Sequence, residues 1–433
     1  MISADLVVTK VSQLVTCSGQ APKTGPAMRE AGVVEKAWLA GHNGKIVFIG
    51  REKEFKEKVR LNEKATIIDG QGLVGLPGLV DCHTHLPFAG SREKEFSLRL
   101  QGYTYEQLAE MGLGIQTTVQ ATRKISRKEL KDLCLKRLET MLLNGTTTVE
   151  AKSGYGLNFE DELKQLQVVK DLKGLQPISL VPTFMGAHEI PPEYKSDHRG
   201  YIDLLKEKIM PEIRKRQLAE FFDVFCEPTV FNLEETRELA QEALQQGYKL
   251  KIHADEFVPI GGTDLAVELG ARSAEHLINI TDRGIEKLSR SQTAAVLLPG
   301  VSFFLMMDKK APARELLNQG AIVALATDFN PGSSNLISML FVLQLGVFTL
   351  KMTVEEAINA CTINAAYAVD RHHQAGSLEV GKDLDLVLCD SPSYLSLAYE
   401  LGRNPVRTVL KAGQLVVKDG QFLARKFDQN KAE

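Results

Sequence analysis

The sequence lacks a cysteine framework. Its 433 residues include six cysteines, none of which forms a C-x-x-C pair, and they stand at positions 17, 82, 134, 226, 361 and 389. Scattered single cysteines argue against a disulfide scaffold and against a cysteine-bound zinc, and they are typical of reduced thiols. We therefore expect a cytoplasmic protein.

A surplus of basic charge and long apolar runs are also missing. Lys+Arg total 52 against 55 for Asp+Glu, so the formal net charge is −3. Without a surplus of basic residues the protein has no positive field to attract the phosphates of a nucleic acid, so we expect no nucleic-acid partner. No apolar run approaches the ~20 residues that span a bilayer, and the start of the chain lacks the pattern of a secretory signal, so we expect no membrane partner. A hydrophobic fraction of 44% excludes a wholly disordered chain.

Both ends of the chain are rich in short strand candidates. In residues 1–75, apolar and β-branched runs alternate with clusters of Gly, Asn and Asp, a pattern typical of strands and turns. A similar pattern returns near residue 375, with strand candidates at 385–389, 406–410 and 414–418. We expect residues 1–75 and 375–433 to form one small composite β-sandwich domain.

Between these ends, strands alternate with helices. The strand candidates are 79–85, 146–150, 178–184, 222–226, 250–254, 273–276, 293–298 and 321–328. Ser126-Arg-Lys-Glu129 has the form of a capping box and predicts a helix that ends at Asn144-Gly145. Thr353-Val-Glu-Glu356 predicts another capped helix after the last strand.

Eight β/α units predict an α/β protein, specifically a (β/α)₈ TIM-like barrel over residues 76–374. A doubly wound open sheet is the alternative. A nucleotide-binding version of that sheet has no support, because no G-x-G-x-x-G or G-x-x-x-x-G-K-[ST] segment follows a strand.

Polar residues cluster at the ends of the eight predicted strands, where a barrel gathers its catalytic groups. They are His83, His85, Lys152, His188, Glu227, His253, Glu256, His276 and Asp328. In His83-Thr-His85 the two histidines face the same way, about 6.5–7 Å apart along the strand. Two imidazoles at that spacing can converge on one metal ion.

Each of these residues also has a plainer interpretation, such as a core histidine for His253 or His276 and a turn cap for Asp328. Their order along the chain favours a metal site. An H-x-H on the first strand, a histidine on the fifth and sixth, and an aspartate on the eighth is the ligand order of the amidohydrolase superfamily, which this chain resembles.

Longer segments are similar to the imidazolonepropionase family within that superfamily. They are residues 77–92, 152–156, 184–194, 251–256 and 325–334. Pro87 departs from the aliphatic residue expected there, and no functional group is lost. The resemblance implies an enzyme of histidine degradation that uses a metal-activated water to hydrolyse 4-imidazolone-5-propanoate to N-formimidoyl-L-glutamate.

The resemblance also implies a ligand set. One divalent metal ion, zinc or iron, would be held by His83, His85, His253 and Asp328. Related enzymes with two metals use a lysine at the end of the fourth strand, where this chain has Phe225-Cys-Glu227-Pro. We expect one metal, with a bridging role for Glu227 as the alternative.

The remaining roles concern catalysis and substrate binding. Asp328 would accept the proton of the attacking water, His276 would orient the water or stabilise the oxyanion, and Glu256 would move a proton to a ring nitrogen. Arg92 would bind the propionate tail of the substrate. Other substrate contacts would come from Tyr155, His188, Glu256, Asn330, Gly332 and Ser333. The last three would form a turn whose backbone N–H groups and short side chains receive a carboxylate or the ring carbonyl. Lys152 is left without a role.

Two other functions compete with this hypothesis. A deaminase of the same superfamily would share the metal ligands and His276, although Arg92 and the Asn-Pro-Gly-Ser turn favour an anionic substrate. A non-catalytic relative would lack metal ligands, and none is missing from the sequence. The family resemblance also implies a homodimer acting on a small molecule with a carboxylate tail.

Overall fold

The computed structural model describes residues 1–103, 107 and 111–423, and these contain two β-sheets. The strands are β1 (Ile2–Val15), β2 (Val33–His42), β3 (Lys45–Arg51), β4 (Val59–Asp69), β5 (Val74–Pro77), β6 (Leu79–Asp81), β7 (Thr146–Lys152), β8 (Ser179–Ala187), β9 (Phe221–Cys226), β10 (Lys249–Ala254), β11 (Ser273–His276), β12 (Ala294–Leu297), β13 (Val323–Leu325), β14 (Leu386–Cys389), β15 (Val406–Lys411), β16 (Gln414–Lys418) and β17 (Gln421–Phe422).

Helices fill most of the connections between the strands. They are α1 (Glu52–Lys58), α2 (Glu93–Leu100), α3 (Ile115–Lys124), α4 (Arg127–Leu143), α5 (Phe159–Asp171), α6 (His198–Leu204), α7 (Met210–Lys215), α8 (Leu233–Gln245), α9 (Gly262–Glu268), α10 (Asp282–Ser289), α11 (Pro299–Phe304), α12 (Ala313–Asn318), α13 (Met339–Leu350), α14 (Val354–Ala360), α15 (Ile363–Ala368) and α16 (Ser396–Tyr399). A π-helical segment, Leu205–Ile209, joins α6 to α7. In the described ranges, every helix is too short or too polar to cross a lipid bilayer.

The predicted barrel is confirmed. Strands β6 to β13 follow one another in a parallel eight-stranded sheet, and all eight predicted strands contribute. The first and last strands approach each other through a bridge between Thr84 and Phe329. There the N–H of Asp328 donates to the carbonyl of His83 at 3.1 Å, and the N–H of His85 donates to the carbonyl of Phe329 at 3.0 Å. The sheet therefore closes at its carboxyl end, where the predicted site residues lie.

The two predicted capping boxes are present. The Ser126 side chain accepts from the N–H of Glu129, whose carboxylate accepts from the N–H of Ser126, at the start of α4. Thr353 and Glu356 make the same pair of bonds at the start of α14. These bonds satisfy N–H groups that a helix start would otherwise leave unpaired.

Strands from both ends of the chain form the second sheet, which is mixed and nine-stranded. Within it β5 pairs in parallel with β1 and antiparallel with β14, so one short strand joins the two segments. The sheet buries an apolar cluster that includes Leu39, Ile46 and Leu386. The proposed division into residues 1–75 plus 375–433 and 76–374 stays a prediction, and residues 424–433 lie outside the described ranges.

Candidate active site

The H-x-H segment is held between its neighbouring strands. Besides the bonds of His83 and His85 to the last strand, the carbonyl of Thr84 accepts from the N–H of Lys152 at 2.9 Å. The Thr84 hydroxyl donates to the carbonyl of Glu150 at 2.5 Å. Hydrogen bonds to the two neighbouring strands, from the backbone and from Thr84, thus fix the direction of the two imidazoles.

The predicted metal ligands converge at the barrel mouth. Nε2 of His83 and Nε2 of His85 lie 3.2 Å and 3.3 Å from Oδ1 of Asp328. The His83 and His253 rings lie 4.6 Å apart, centre to centre. Donor atoms of His83, His85 and Asp328 lie within 4.8 Å of one another, as do those of His83, His253 and His276. His83 belongs to both groups, so the four predicted ligands surround a common region.

The donor atoms fit a divalent cation. Buried atoms without a hydrogen-bond partner, counted over the described residues, include Nε2 of His253, Nε2 of His83 and Oδ1 of Asp328. An unpaired buried polar atom is costly, and a cation would satisfy these atoms. Three imidazole nitrogens and one carboxylate oxygen form a donor set that suits zinc or iron.

Electrostatics at this centre favour an ionised Asp328. Burial alone would raise the pKa of Asp328, but His83 and His85 hold it well below its usual value. Burial lowers the pKa of His83, yet the carboxylates of Glu275 and Asp328 outweigh it and raise the pKa to about 9. A cation that takes Nε2 of His83 therefore displaces a proton.

His276 and Glu256 form a pair beside the ligands. Nδ1 of His276 lies 3.4 Å from Oε1 of Glu256, and the His276 ring is 4.9 Å from the ring of His253. Burial holds the pKa of His276 well below its usual value. Burial raises the pKa of Glu256 well above its usual value, and the carboxylate of Asp328 raises it further. The pair therefore combines an imidazole that resists protonation with an acid that holds its proton more tightly than usual.

Backbone strain accompanies these positions. His276 has a φ of 73° and Asp328 a φ of 50°, both in the left-handed region that non-glycine residues rarely adopt. Each residue stands at or just after the end of a barrel strand, where the turn directs its side chain into the mouth. Strained backbone of this kind is common at functional sites.

Arg92 and the predicted Asn330–Ser333 turn lie against each other. The Arg92 guanidinium packs on Gly332 so closely that a Cβ there would lie 1.9 Å from Nη1. Arg92 donates to both carboxylate oxygens of Glu95, at 2.8 Å and 2.6 Å. It lines a cleft of about 380 Å³ together with Phe88 and Phe329. The guanidinium of Arg92, which we predicted to bind the substrate's carboxylate, therefore faces an open cleft beside the barrel mouth.

The turn itself differs from the prediction in one respect. The N–H groups of Gly332 and Ser333 both donate to Oδ1 of Asn330, each at 2.8 Å. Asn330 in turn donates through Nδ2 to the carbonyl of Asp328 at 2.7 Å. The backbone N–H groups that we expected to receive a carboxylate are thus engaged within the turn.

Tyr155 and His188 line the other side of the mouth. The His188 ring stacks on His85 at 4.9 Å between centres, and Tyr155 lies 5.3 Å from His188. Nδ1–H of His188 donates to the carbonyl of Gly154 at 2.9 Å, which leaves Nε2 as the acceptor. Burial raises the pKa of Tyr155, while the nearby Arg92 lowers it. Both residues stand beside the predicted ligand His85, and Tyr155 also interacts with Arg92, as a substrate-binding role requires.

Glu227 and Lys152 have partners of their own. Oε1 of Glu227 accepts from the N–H of Phe257 at 2.8 Å, so this carboxylate braces the loop after β10. Among the described residues it belongs to no group of potential metal ligands. Lys152 is fully buried and contacts Asp223, Glu150 and Glu275 inside the barrel.

Sequence reasoning missed several neighbours of the predicted site residues. Asp223 and Glu275 contact the Nδ1 atoms of His253 and His83, at 3.0 Å and 2.5 Å. Arg137 in α4 donates to the carbonyls of Leu86 and Phe88, so it braces the loop that follows the H-x-H segment. A charged residue on a buried strand signals that it needs a partner, but the sequence alone does not identify that partner. Arg137 lies about 50 residues after the H-x-H segment in the sequence, so no sequence pattern indicated that it contacts the following loop.

The chain is similar to known amidohydrolases both in a family model and over almost its full length. The Amidohydrolase family model matches residues 305–416. The imidazolonepropionase of Alkaliphilus oremlandii (strain OhILAs) is 44% identical over 423 residues, which covers 98% of this chain and 100% of the relative. That of Symbiobacterium thermophilum is 45% identical over 426 residues, with 98% and 100% covered.

Solved structures share the fold at low identity. An adenosine deaminase from Xanthomonas campestris with bound zinc superimposes with a TM-score of 0.71 at 20% identity, covering 98% of this chain and 95% of that one. A triazine hydrolase from Arthobacter aurescens gives a TM-score of 0.73 at 17% identity, with 96% of each chain covered. At such identities the likeness concerns the fold alone.

Proposed function

The chain belongs to the imidazolonepropionase family of amidohydrolases, and from that premise we propose that it hydrolyses 4-imidazolone-5-propanoate to N-formimidoyl-L-glutamate in histidine degradation. The observation that carries the proposal is the cluster of unpaired, buried donor atoms on His83, His253 and Asp328 at the mouth of a closed barrel. A reaction that opens a cyclic amide needs an activated water, a fixed anion site and a proton donor, and the described residues offer a candidate for each.

The metal-binding part of the proposal concerns His83, His85, His253 and Asp328, which would hold one divalent cation, zinc or iron. A cation bound there supplies Lewis-acid activation of a water molecule and of the ring carbonyl. The chain contributes a dry, preorganised pocket, in which such interactions are strong because water does not screen them.

Proton transfers fall to the neighbouring acids. Asp328, ionised because His83 and His85 lower its pKa, accepts the proton of the attacking water. The neutral His276 donates a hydrogen bond to the oxygen that becomes negative as the carbonyl is attacked. The C–N bond then breaks, and Glu256, whose pKa burial raises, delivers a proton to the departing ring nitrogen.

Substrate binding depends on Arg92 and the aromatic wall. Glu95 holds the Arg92 guanidinium by two bonds, and the edge of that guanidinium that faces the cleft pairs with the propionate tail. Tyr155 and His188 contact the ring, with Nε2 of His188 as a hydrogen-bond acceptor. Asn330, Gly332 and Ser333 shape the turn against which Arg92 packs.

The direct test is to add freshly made imidazolonepropionate to the purified protein and follow the loss of its ultraviolet absorbance. We expect catalysed loss, abolition by a chelator, and recovery when zinc or iron(II) is restored. Absence of any catalysed loss in the metal-loaded protein would refute the proposal. Release of ammonia from an aminated heterocycle would instead favour the deaminase alternative, which the 44–45% identical relatives support less.

The setting of the enzyme is part of the same proposal. All six cysteines are free and buried, as expected of a protein in the reducing cytoplasm. We propose a cytoplasmic homodimer, which size-exclusion chromatography with light scattering would test through the molar mass in solution.

A further inference from the structure

Beneath the candidate metal centre, the barrel interior contains charged side chains where aliphatic residues usually pack. The residues of this group, which we call the ionic layer, are Glu150, Lys152, Asp223, Lys251 and Glu275. All five are 0% exposed and come from β7, β9, β10 and β11. Burying five charges is expensive, so the layer calls for a function beyond filling the barrel.

Each ammonium group in the ionic layer uses three partners. Nζ of Lys152 lies 2.6 Å from Asp223, 2.9 Å from Glu150 and 3.1 Å from Glu275. Nζ of Lys251 donates to the carbonyl of Cys82 at 2.7 Å and lies 2.8 Å from both Glu150 and Glu275. Two of the three contacts of each ammonium are hydrogen bonds and the third is an ion pair, and together they hold the carboxylates in position.

Two of these fixed carboxylates reach the metal ligands. Oε2 of Glu275 lies 2.5 Å from Nδ1 of His83, and Oδ1 of Asp223 lies 3.0 Å from Nδ1 of His253. Oδ1 of Asp223 can only accept, so Nδ1 of His253 carries the proton and Nε2 the lone pair. The contact of Glu275 with Nδ1 of His83 favours a proton on that nitrogen, so the proton that a bound cation displaces from this ring is the one on Nε2. Nε2 of His253 has no hydrogen-bond partner among the described residues, as expected of a nitrogen reserved for a cation.

We propose that the ionic layer positions His83 and His253 for metal binding, with Glu275 and Asp223 fixing their tautomers and Lys152 and Lys251 fixing those carboxylates. Three carboxylates against two ammonium groups also leave one net negative charge directly below the centre. With Asp328, this charge offsets a divalent cation. The inference rests on the proposed metal site, and it concerns residues to which the sequence comparison gave no role.

Metal affinity is the quantity to measure, by competition with a chromophoric chelator for Zn²⁺. Partners of metal-bound histidines typically change affinity by 10–100-fold when replaced. We therefore expect Glu275→Gln and Asp223→Asn to weaken Zn²⁺ binding by about 10–100-fold, and to reduce the rise in Tm that Zn²⁺ produces. Binding within twofold of the parent protein in both variants would overturn the proposal.

Asp385→Asn is the matched control. Asp385 is also a buried carboxylate, and its Oδ2 accepts from Nζ of Lys411 at 2.6 Å in the terminal sheet. This substitution should lower the Tm of the metal-free protein and leave Zn²⁺ affinity unchanged. Equal losses of affinity in Asp385→Asn and Glu275→Gln would show a general effect of destabilisation and would contradict a positioning role.

A milder variant covers the case in which Glu275→Gln does not fold. The hydroxyl of Ser273 donates to Oε1 of Glu275 at 2.8 Å, so Ser273→Ala loosens the carboxylate and keeps its charge. We expect it to weaken Zn²⁺ binding by a few-fold, and unchanged affinity would count against the proposal.

Nuclear magnetic resonance tests the tautomers directly. In the Zn²⁺-loaded parent, ¹⁵N spectra of labelled histidine should show protonated Nδ1 in His83 and His253. A protonated Nε2 in either ring would refute the positioning role.

The two proposals fail in different ways. If the protein binds Zn²⁺ through the ionic layer as described but leaves imidazolonepropionate unchanged, the catalytic proposal is wrong and the positioning role stands. If it hydrolyses the substrate and the layer variants bind metal as the parent does, the catalytic proposal stands and the positioning role is wrong.

Discussion

The barrel mouth and the terminal sheet both exclude water, yet they treat buried polar groups differently. In the terminal sheet, buried Asp385 accepts from Nζ of Lys411 at 2.6 Å and from the N–H of Ala412 at 2.8 Å. At the barrel mouth, Oδ1 of Asp328 and Nε2 of His253 have no hydrogen-bond partner within the part of the chain that the structure describes. The sheet uses its polar groups for its own stability, whereas the mouth leaves its donor atoms for a ligand.

This contrast separates two kinds of substitution. Changes at the mouth should remove activity at a smaller cost in stability, because atoms without a hydrogen-bond partner add little to folding in the absence of a cation. Changes in the apolar cluster of the sheet should remove stability and leave the chemistry of the folded protein intact.

The largest expected effect comes from Asp328→Ala. We expect kcat/KM to fall by about 10³-fold or more, because the carboxylate serves both the cation and the proton transfer. Steady-state kinetics with imidazolonepropionate measures this. Thermal unfolding of the metal-free protein should show a modest fall in Tm, because the contacts of Asp328 with His83 and His85 are lost. The exposed Asp308→Ala is the control, and a variant Asp328→Ala with near-normal turnover would refute the assignment.

Next comes Leu39→Ala in the terminal sheet. Leu39 is fully buried in the cluster with Ile46 and Leu386, so the free energy of unfolding should fall by about 2–5 kcal/mol. Urea unfolding gives the stability, and kcat at a temperature where the variant is folded should equal that of the parent. A loss of kcat without loss of stability would erase the distinction between the two regions.

Arg92→Ala should have an intermediate effect at the edge of the mouth. Because Arg92 contacts a part of the substrate that does not react, we expect KM to rise by about 10–100-fold with a smaller change in kcat. Initial rates over a wide range of substrate concentration measure both constants. Arg127→Ala, which removes an exposed pair with Asp171, is the control. An unchanged KM in Arg92→Ala would remove the tail-binding role.

The smallest effect should come from Ser126→Ala at the start of α4. Loss of its capping bond to the N–H of Glu129 should cost about 1 kcal/mol of stability. Denaturant unfolding measures the cost, and kinetic constants should not change. A variant as stable as the parent would mean that the rest of the capping box suffices.

Much of the fold followed from the sequence because its signals are local. Each barrel strand is a short apolar run followed by a polar residue, and the caps at Ser126 and Thr353 are four-residue patterns. The convergence of His83, His253 and Asp328 followed from the resemblance to a family. From the residues alone each had a plainer interpretation.

What the sequence did not reveal depends on pairing across the barrel. Glu275 and Asp223 look like ordinary acids until the neighbouring strands bring Lys152 and the two histidines against them. The engagement of Gly332 and Ser333 by Asn330 was accessible in principle, since an Asn before Pro-Gly commonly binds the backbone two residues on.

The closure of the barrel through His83 and Asp328 has a consequence for synthesis. The first and last strands bring His83 and Asp328 together and hydrogen-bond to each other there. A ribosome must therefore complete almost the entire catalytic region before the pocket can exist. Nascent or prematurely terminated chains that stop short of the eighth strand would carry the early histidines without the aspartate, and we expect them to be inert.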